Sequence, residues 1–501
     1  MTKFPHISRA ATLGALACVV VLAGACSTDP VSNLNQVVPG FSHDAYTSRF
    51  NGVLYMQKFD FGTRTNTMDS FARIAANLVP TDNRFITEWL GDGTDIETST
   101  FYATTNWLTQ FVSIRNAQSL LADLPKATPA YSAGDLAKFR GIVYTIEALS
   151  YMYVAETKDT LGVPVAAPLA SDPTVPQPIL CSRDTWKFIV ALLDSGLTQL
   201  NTDQSAGLPL TLDAGFAAVN SRASPSSASG SFAAFNRALA VRANLELAYA
   251  IARSPGGNPP TASTPGSPDA TALNRADSAL HATALYSSSA TALRPPNAGE
   301  FNDVLAVYHV FSGTSGDIAN PVQAFIPTYY LLNEAVGAID PADQRRAKFV
   351  TNAQPASTSY AFVASPLTYS MYPAPTSPIP IIRNEELHLY GAQIRLGLND
   401  LAGAMQEVNL VRGQVGGLSP LANPGTYVGV RNAIVQEMLA STDGEPSGDR
   451  VAAIRDYAMQ TVSDTTWDHV ANHGPDTRAT VQPFPVADVT ARNGNTRYVC
   501  P

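Results

Sequence analysis

Residues 378–418, PIPIIRNEELHLYGAQIRLGLNDLAGAMQEVNLVRGQVGGL, constrain the fold more than any other stretch of the chain. At helical spacing Leu387, Tyr390, Gly391, Ile394 and Leu398 form one stripe; beyond a break at 397–400, Ala404, Met405, Val408 and Val411 form a second. The pattern predicts two short amphipathic helices. Asn399 or Asp400 can cap the second, the Gly416-Gly417 pair ends it, and so short a link forces an antiparallel αα-hairpin. The pair spans about the length of one tetratricopeptide unit, near 34 residues. Tyr390-Gly391-x-x-Ile394 sets a small residue between two large ones, the texture that lets a partner helix approach closely.

The same texture recurs along the chain. Helices are predicted over 107–124, with Trp107, Phe111, Ile114, Ala117 and Leu121 on one face, and over 135–156, with Ile142, Ile146, Leu149 and Tyr153. Further helices are expected over 182–200 (Ser182 as cap), 232–252, 268–286, 429–439 and 450–459. Residues 51–90 mix helix-like and loop-like patterns, with exposed loops at 81–84 and 91–94. Residues 221–231 and 254–268, rich in Ser, Pro and Gly, read as mobile surface loops rather than linkers. Residues 294–377 break the repeat with Pro, Ser and aromatics. The expectation is an all-α chain of tetratricopeptide-like helical hairpins with long irregular loops, residues 41–501 forming one domain with a loop-rich insertion at about 294–377.

The N-terminus reads as an export signal. Residues 1–25 open with Lys3 and Arg9, continue with an apolar run over 10–22 too short to span a bilayer comfortably, and end in Leu22-Ala23-Gly24-Ala25-Cys26. That ending resembles a bacterial lipobox, where small residues precede a cysteine that is acylated. Cys26 is therefore the expected lipidation site and 26–40 the tether, against the alternative of ordinary Ala-x-Ala cleavage. Removal of the signal leaves 30 basic and 41 acidic residues, a net charge of −11, which disfavours nucleic acid as a partner. Once Cys18 leaves with the signal and Cys26 carries lipid, Cys181 and Cys500 remain as one possible disulfide or two free thiols.

An entry strand Ile-Pro-Ile-Ile-Arg, then Glu-Glu-Leu, a helix, and Ala-x-x-x-x-Asn-x-x-Arg before Gly-Gly resembles the signature of the SusD/RagB family. The matching positions are Ile382, Arg383, Glu385, Leu387, Ala404, Asn409, Arg412 and Gly416, with Gly391-Ala392-Gln393 where the family has Ala-Glu-Ala. The Trp107 helix, Gly162-Val163-Pro164 and Pro483-Phe484-Pro485 followed by Asn493 resemble other family segments in the same order. The resemblance implies an outer-membrane lipoprotein on the cell surface. It implies a lid that captures an oligosaccharide or a peptide and delivers it to a TonB-dependent, SusC-like barrel.

Catalytic constellations are not evident. Glu385 and Glu386 are adjacent and face different ways, and Asp443, Glu445 and Asp449 lie in a Gly/Pro/Ser turn, so these acids are expected to be solvated. His469-x-x-x-His473 carries Val470 where zinc proteases place Glu, in a loop-like context. Gly-x-Ser-x-Gly elbows and phosphate loops are absent from the sequence. The expectation is a binding protein, not an enzyme, with no metal and no cofactor. Sugar rings stack their C–H faces on flat aromatics, and Trp89, Tyr102, Tyr360, Tyr369 and Tyr372 are the candidate contacts, the last two expected to be exposed. The alternatives are a surface-anchored hydrolase and a helical scaffold that holds another protein.

Overall fold

Capping side chains mark where the helices begin. Ser42 accepts from the Ala45 amide at the head of α1 (His43–Lys58), and Ser132 from Asp135 at α4 (Ala133–Lys158). Asp269 does the same at α7 (Ala270–Ala282), Asp400 at α10 (Leu401–Gln414) and Thr426 at α11 (Tyr427–Ser441). Each satisfies an amide that the first helical turn leaves without a partner. The remaining long helices are α2 (Phe61–Ala72), α3 (Phe101–Asp123), α5 (Ser182–Leu200), α6 (Phe232–Arg253) and α9 (Asn384–Gly397). Cys181, not Ser182, is the N-cap residue of α5, and its side chain makes no cap bond. The computed structural model describes residues 42–79, 101–127, 131–165, 176–202, 208–219, 231–297, 299, 301, 303–313, 317–357, 363–459, 461–462, 476–477, 481–494 and 496. All of them lie in one compact unit, Phe41–Pro501.

With α2 set aside, successive long helices pack on one another: α1 on α3, α3 on α4, α4 on α5, α5 on α6 and α6 on α7. The stack then continues through α9, α10 and α11. Small residues set the spacing. A methyl group at Gly141 of α4 would lie 2.7 Å from the Gly196 carbonyl of α5, so the two backbones touch where neither has a side chain. Asn236 of α6 ties three helices together by donating to Thr145 Oγ1 at 2.8 Å and to the Leu193 carbonyl at 3.0 Å. Between α9 and α10, Asn399 adopts φ 63°, which turns the chain for Asp400 to cap. Gly417, at φ 65°, follows the end of α10.

Two helical readings change. Residues 51–90 hold the second half of α1 and all of α2, which the sequence pattern left mixed because α2 buries Arg64, Thr65, Asn66, Thr67, Asp69 and Ser70 as well as its apolar residues. Helix α9 is not amphipathic: it is buried almost all round, because α6, α7, α10 and α11 all pack on it.

The irregular part of the chain is stitched into the helical body by two-stranded antiparallel ladders. Strand β4 (Ala306–His309) pairs with β8 (Ile379–Arg383), which runs directly into α9. Strand β1 (Ala75–Asn77), just after α2, pairs with β5 (Tyr329–Leu331). Strand β6 (Phe349–Thr351) pairs with β7 (Leu367–Tyr369), and β2 (Val163–Pro164) with β3 (Ile179–Leu180), closing the Pro-rich connector ahead of α5. The short helices α8 (Asn333–Ala338), α12 (Asp449–Asp456) and α13 (Val486–Ala491) complete the body, with a last strand pair, β9 (Thr461–Val462) and β10 (Asp476–Thr477). Residues 254–268 lie on the surface, as expected, and Arg431 of α11 donates to the Ala262 carbonyl at 2.8 Å. Among the described residues no helix is long and apolar enough to cross a membrane.

Candidate functional site

The turn between α11 and α12, residues 442–448, is where the described cations converge. Gly444 and Gly448 take φ 75° and 73°, conformations that turn carbonyls inward where donors must meet them. Tyr372 donates to the Gly444 carbonyl at 2.7 Å, Arg64 of α2 to Pro446 at 2.7 Å, and Arg242 of α6 to Ser447. The acids of the turn are paired as well. Arg383, at the β8–α9 junction, forks onto Glu445 at 2.6 and 3.1 Å and reaches Asp303 and Glu385 at 2.9 and 2.7 Å. Lys348 binds Asp443, and Asp449 accepts from Tyr390 at 2.7 Å with Arg242 3.4 Å away. The expectation that Glu385, Glu386, Asp443, Glu445 and Asp449 are solvated is therefore wrong: all five are buried. Arg383 covers Glu385 and Glu386 from the adjoining strand end, while the cations that cover Asp443, Glu445 and Asp449 come from about 60 to 210 positions away, and the local Gly/Pro/Ser composition carries no trace of them.

Burial and charge set the ionisation of this cluster. Burial raises Glu386 well above the usual carboxylate range, and the nearby Asp449 and Glu445 push the same way. Glu385 feels the same burial, but Arg383, Arg345 and Lys348 overcome it and hold its carboxyl below its ordinary value. Burial lifts Asp443 to about 6 against the pull of Lys348. Asp69 of α2 rises to about 8 through burial, although Tyr329 and Tyr369 donate to its Oδ2 at 2.7 and 3.0 Å and the Gly444 amide to its Oδ1 at 3.3 Å. These carboxyls are committed to ion pairs and tyrosines inside the body.

Next to this frame lies a cleft of about 340 Å³ between the chain after α8 and the C-terminal half of α11. Its floor is an ion-paired triad. Arg345 binds Asp343 through two nitrogens at 2.9 and 2.6 Å, approaches Glu437 at 2.5 Å and donates to Ser441 Oγ at 2.8 Å. These contacts occupy the Arg345 guanidinium. The accessible polar groups are Arg412, Asp340 and Gln436. Arg412 spends Nε on the Ser419 carbonyl at 2.9 Å and stands 3.7 Å from Glu437, while Gln436 donates to the Ala338 carbonyl. A donor fork, a carboxylate and an amide around a cleft of this size suit a hydroxyl-rich neutral molecule. Arg412 was singled out by the sequence signature; Gln436 and Asp340 carried no local signal, since only the packing of α8 against α11 brings them together.

The expected ligand contacts fare differently. Tyr369 and Tyr372 are only 2% and 1% exposed, so neither offers a stacking face; both are anchors, holding Asp69 and the Gly444 carbonyl respectively. The Pro/Ser-rich segment around them suggested exposure, but β7 pairs with β6 and carries Tyr369 inward. Tyr102 lies in the first turn of α3, and its side chain is outside the described set. Cys26, Trp89, Tyr360, Cys500, His469 and His473 are outside the described residues, as are 1–25 and 26–40. Cys181 is buried and disulfide-bonded. Among the described residues, no group of three or more His, Cys, Asp or Glu could hold a metal ion.

Stacked helical hairpins and a loop-rich part stitched on by short ladders define a tetratricopeptide-like all-α fold. Comparison with solved structures shows which one: the chain has the SusD superfamily fold. A SusD superfamily protein from Bacteroides thetaiotaomicron VPI-5482 superposes with a TM-score of 0.63 at 15% identity, covering 90% of this chain and 98% of that one. A SusD-like carbohydrate binding protein from Bacteroides vulgatus ATCC 8482 gives 0.65 at 12% identity, over 92% and 98%. A third structure, solved with xylogluco-oligosaccharide, gives 0.59 at 13% identity, over 91% and 99%. No family sequence model and no curated protein sequence matches the chain.

Proposed function

We propose that this protein is a lipid-anchored lipoprotein of the outer face of the outer membrane that binds oligosaccharide and hands it to a TonB-dependent, SusC-like barrel. The observation that carries the reading is the end-to-end correspondence with SusD-type structures, one described as carbohydrate binding and another solved with xylogluco-oligosaccharide. The sequence supports the location: the apolar run over 10–22 ends at a lipobox-like Cys26. Several acyl chains, each buried methylene contributing about 0.8 kcal/mol, hold such a protein on a membrane durably. The protein binds without transforming its ligand. A lid must release what it captures, so affinity falls in the micromolar to millimolar range, about −4 to −8 kcal/mol. Trp89, Tyr102 and Tyr360 remain the proposed stacking contacts, and Arg412, Asp340 and Gln436 the proposed hydroxyl contacts.

The test is calorimetric titration of the purified chain, without its signal and lipid, against oligosaccharides and peptides, with product analysis after long incubation. The expected result is weak binding of a glycan with no cleavage, reduced by Arg412→Ala or Trp89→Ala. Release of shorter sugars would favour the surface hydrolase, and binding of peptides alone would remove the glycan assignment.

A further inference from the structure

Helix α7 ends at Ala282, and the crossover that follows, residues 283–293, carries the chain from the helical stack toward its irregular part. The crossover, α9 and α10 meet at one fully buried histidine, His388 of α9. Its Nδ1 lies 2.7 Å from Glu407 Oε2 of α10, and its Nε2 lies 3.1 Å from the Ser287 carbonyl oxygen of the crossover. Asn384, one turn earlier on α9, holds the same serine by accepting from its amide and donating to its carbonyl, both at 2.8 Å. The Tyr286 ring lies against the imidazole, with centroids 4.5 Å apart. Its hydroxyl donates to Glu407 Oε1 at 2.7 Å, where Arg395 Nε also donates at 3.2 Å. Both ring nitrogens of His388 therefore face oxygens that accept. The Ser287 carbonyl has no proton to give. Burial pushes the Glu407 carboxyl up, but His388, Tyr286 and Arg395 outweigh it and hold the group below its ordinary value. A neutral imidazole has one N–H and one lone pair, so only the doubly protonated ring makes both bonds.

We propose that His388 is a proton-operated latch: with two protons it fastens the 283–293 crossover to α9 and α9 to α10, and on losing one it releases the Ser287 side. The proton that stays is the one shared with the Glu407 carboxylate, because that bond is charge-assisted; the lone pair left on Nε2 then meets the lone pairs of the Ser287 oxygen. The closed crossover thus binds one proton more than the open one, and rising pH favours opening. The charged and titratable groups around the latch are Glu407 of α10, Tyr286 of the crossover and Arg395 of α9. Behind them stand Asp400, 3.7 Å from Arg395, and the exposed His281 of α7, paired with Asp277 and 6.0 Å from the Tyr286 ring. Helices α6 and α11 also pack on α9, and among the described residues neither bonds to His388. Because the crossover joins α7 to the segment that leads into β4, its release loosens the join between the helical stack and the irregular part.

The experiment compares hydrogen exchange over 283–289 in the purified chain and in Glu407→Gln, at about pH 5.5 and about pH 8.5, as protection factors corrected for the intrinsic pH dependence of exchange. The substitution keeps the shape and the acceptor for Tyr286 and Arg395, and its amide N–H donates to Nδ1, so that a neutral His388 makes both bonds. The parent is expected to lose protection roughly tenfold between the two pH values, about the worth of one hydrogen bond, while the variant stays level. His281→Gln should leave the parent's change intact. No loss in the parent, an equal loss in Glu407→Gln, or a loss abolished by His281→Gln overturns the latch. Where Glu407→Gln does not fold, the ring nitrogens of the parent decide. Nitrogen-15 histidine spectra, with His388 identified by its contact with the Tyr286 ring, should show two protonated nitrogens at the lower pH and one at the higher; one proton throughout, or two throughout, overturns the proposal.

Discussion

Asp69 offers the sharpest test of the buried frame. Its carboxyl rises to about 8 in the folded chain from an ordinary value near 3.8, with burial the chief cause. Between these values the native state keeps a proton that the unfolded chain has lost, so the native state binds more protons and stability must fall as pH rises. The effect is absent below about pH 4 and complete above about pH 8. At about 1.4 kcal/mol per unit its ceiling is about 6 kcal/mol. Asp69→Asn removes the titration and keeps the shape. The amide oxygen still accepts from Tyr329 and Tyr369, but the amide nitrogen then faces the Gly444 N–H, donor against donor, which costs about 1–2 kcal/mol at any pH. The variant is thus level with the parent or slightly less stable near pH 4.5, equal to it by about pH 5, and more stable by a few kcal/mol at pH 8. Urea unfolding followed by far-UV dichroism from pH 4.5 to 9, compared as paired free energies, reads the difference directly and cancels the slopes of other buried carboxyls such as Glu147 and Glu156, both near 7. Parallel curves would refute the reasoning: they would mean that the three hydrogen bonds keep Asp69 ionised and that burial does not dominate.

Cys26→Ser should move the protein from the membrane pellet to the soluble fraction on cell fractionation; persistence in the pellet would reject the anchor. Arg383→Met leaves Asp303, Glu385 and Glu445 buried without their shared cation, and is expected to cost about 3–5 kcal/mol in urea unfolding, against less than about 1 kcal/mol for the half-exposed Arg275→Met. Gly141→Ala gains about 1 kcal/mol of helix propensity but drives a methyl into the Gly196 carbonyl and Leu200, so a net loss of about 1–2 kcal/mol is expected; a gain in thermal stability would show that α4 and α5 can part without cost. Tyr372→Phe removes the donor to the Gly444 carbonyl and should lower stability by about 1–2 kcal/mol while leaving glycan titration unchanged, whereas a change in ligand affinity would reinstate Tyr372 as a contact.

The helices most legible in the sequence were those whose environment is made by their neighbours in the stack. The α9–α10 hairpin, α5 and α6 emerge close to their predicted bounds because period, caps and Gly breaks are local signals that the packing does not contradict. Helix α2 escaped because its buried face is polar, and periodicity reads only apolar stripes. The candidate site divides in the same way. Arg412 belongs to a recognisable signature, while Asp340 and Gln436 meet it only where α8 approaches α11.

The sequence alone determined that helical hairpins stack, where the hairpin at 378–418 turns, and that an apolar run leads to a lipobox-like cysteine, because each depends on residues within a few turns of one another. Only the tertiary structure decided the fate of the polar residues. Glu385, Asp443, Glu445 and Asp449 look like solvated surface until Arg383, Lys348 and Arg242 arrive from other elements, and Tyr369 and Tyr372 look like an exposed shelf until Asp69 and Gly444 claim their hydroxyls. A charge or a hydroxyl can be buried wherever a partner reaches it, and most of these partners lie from about 60 to 300 positions away, beyond any local window of sequence.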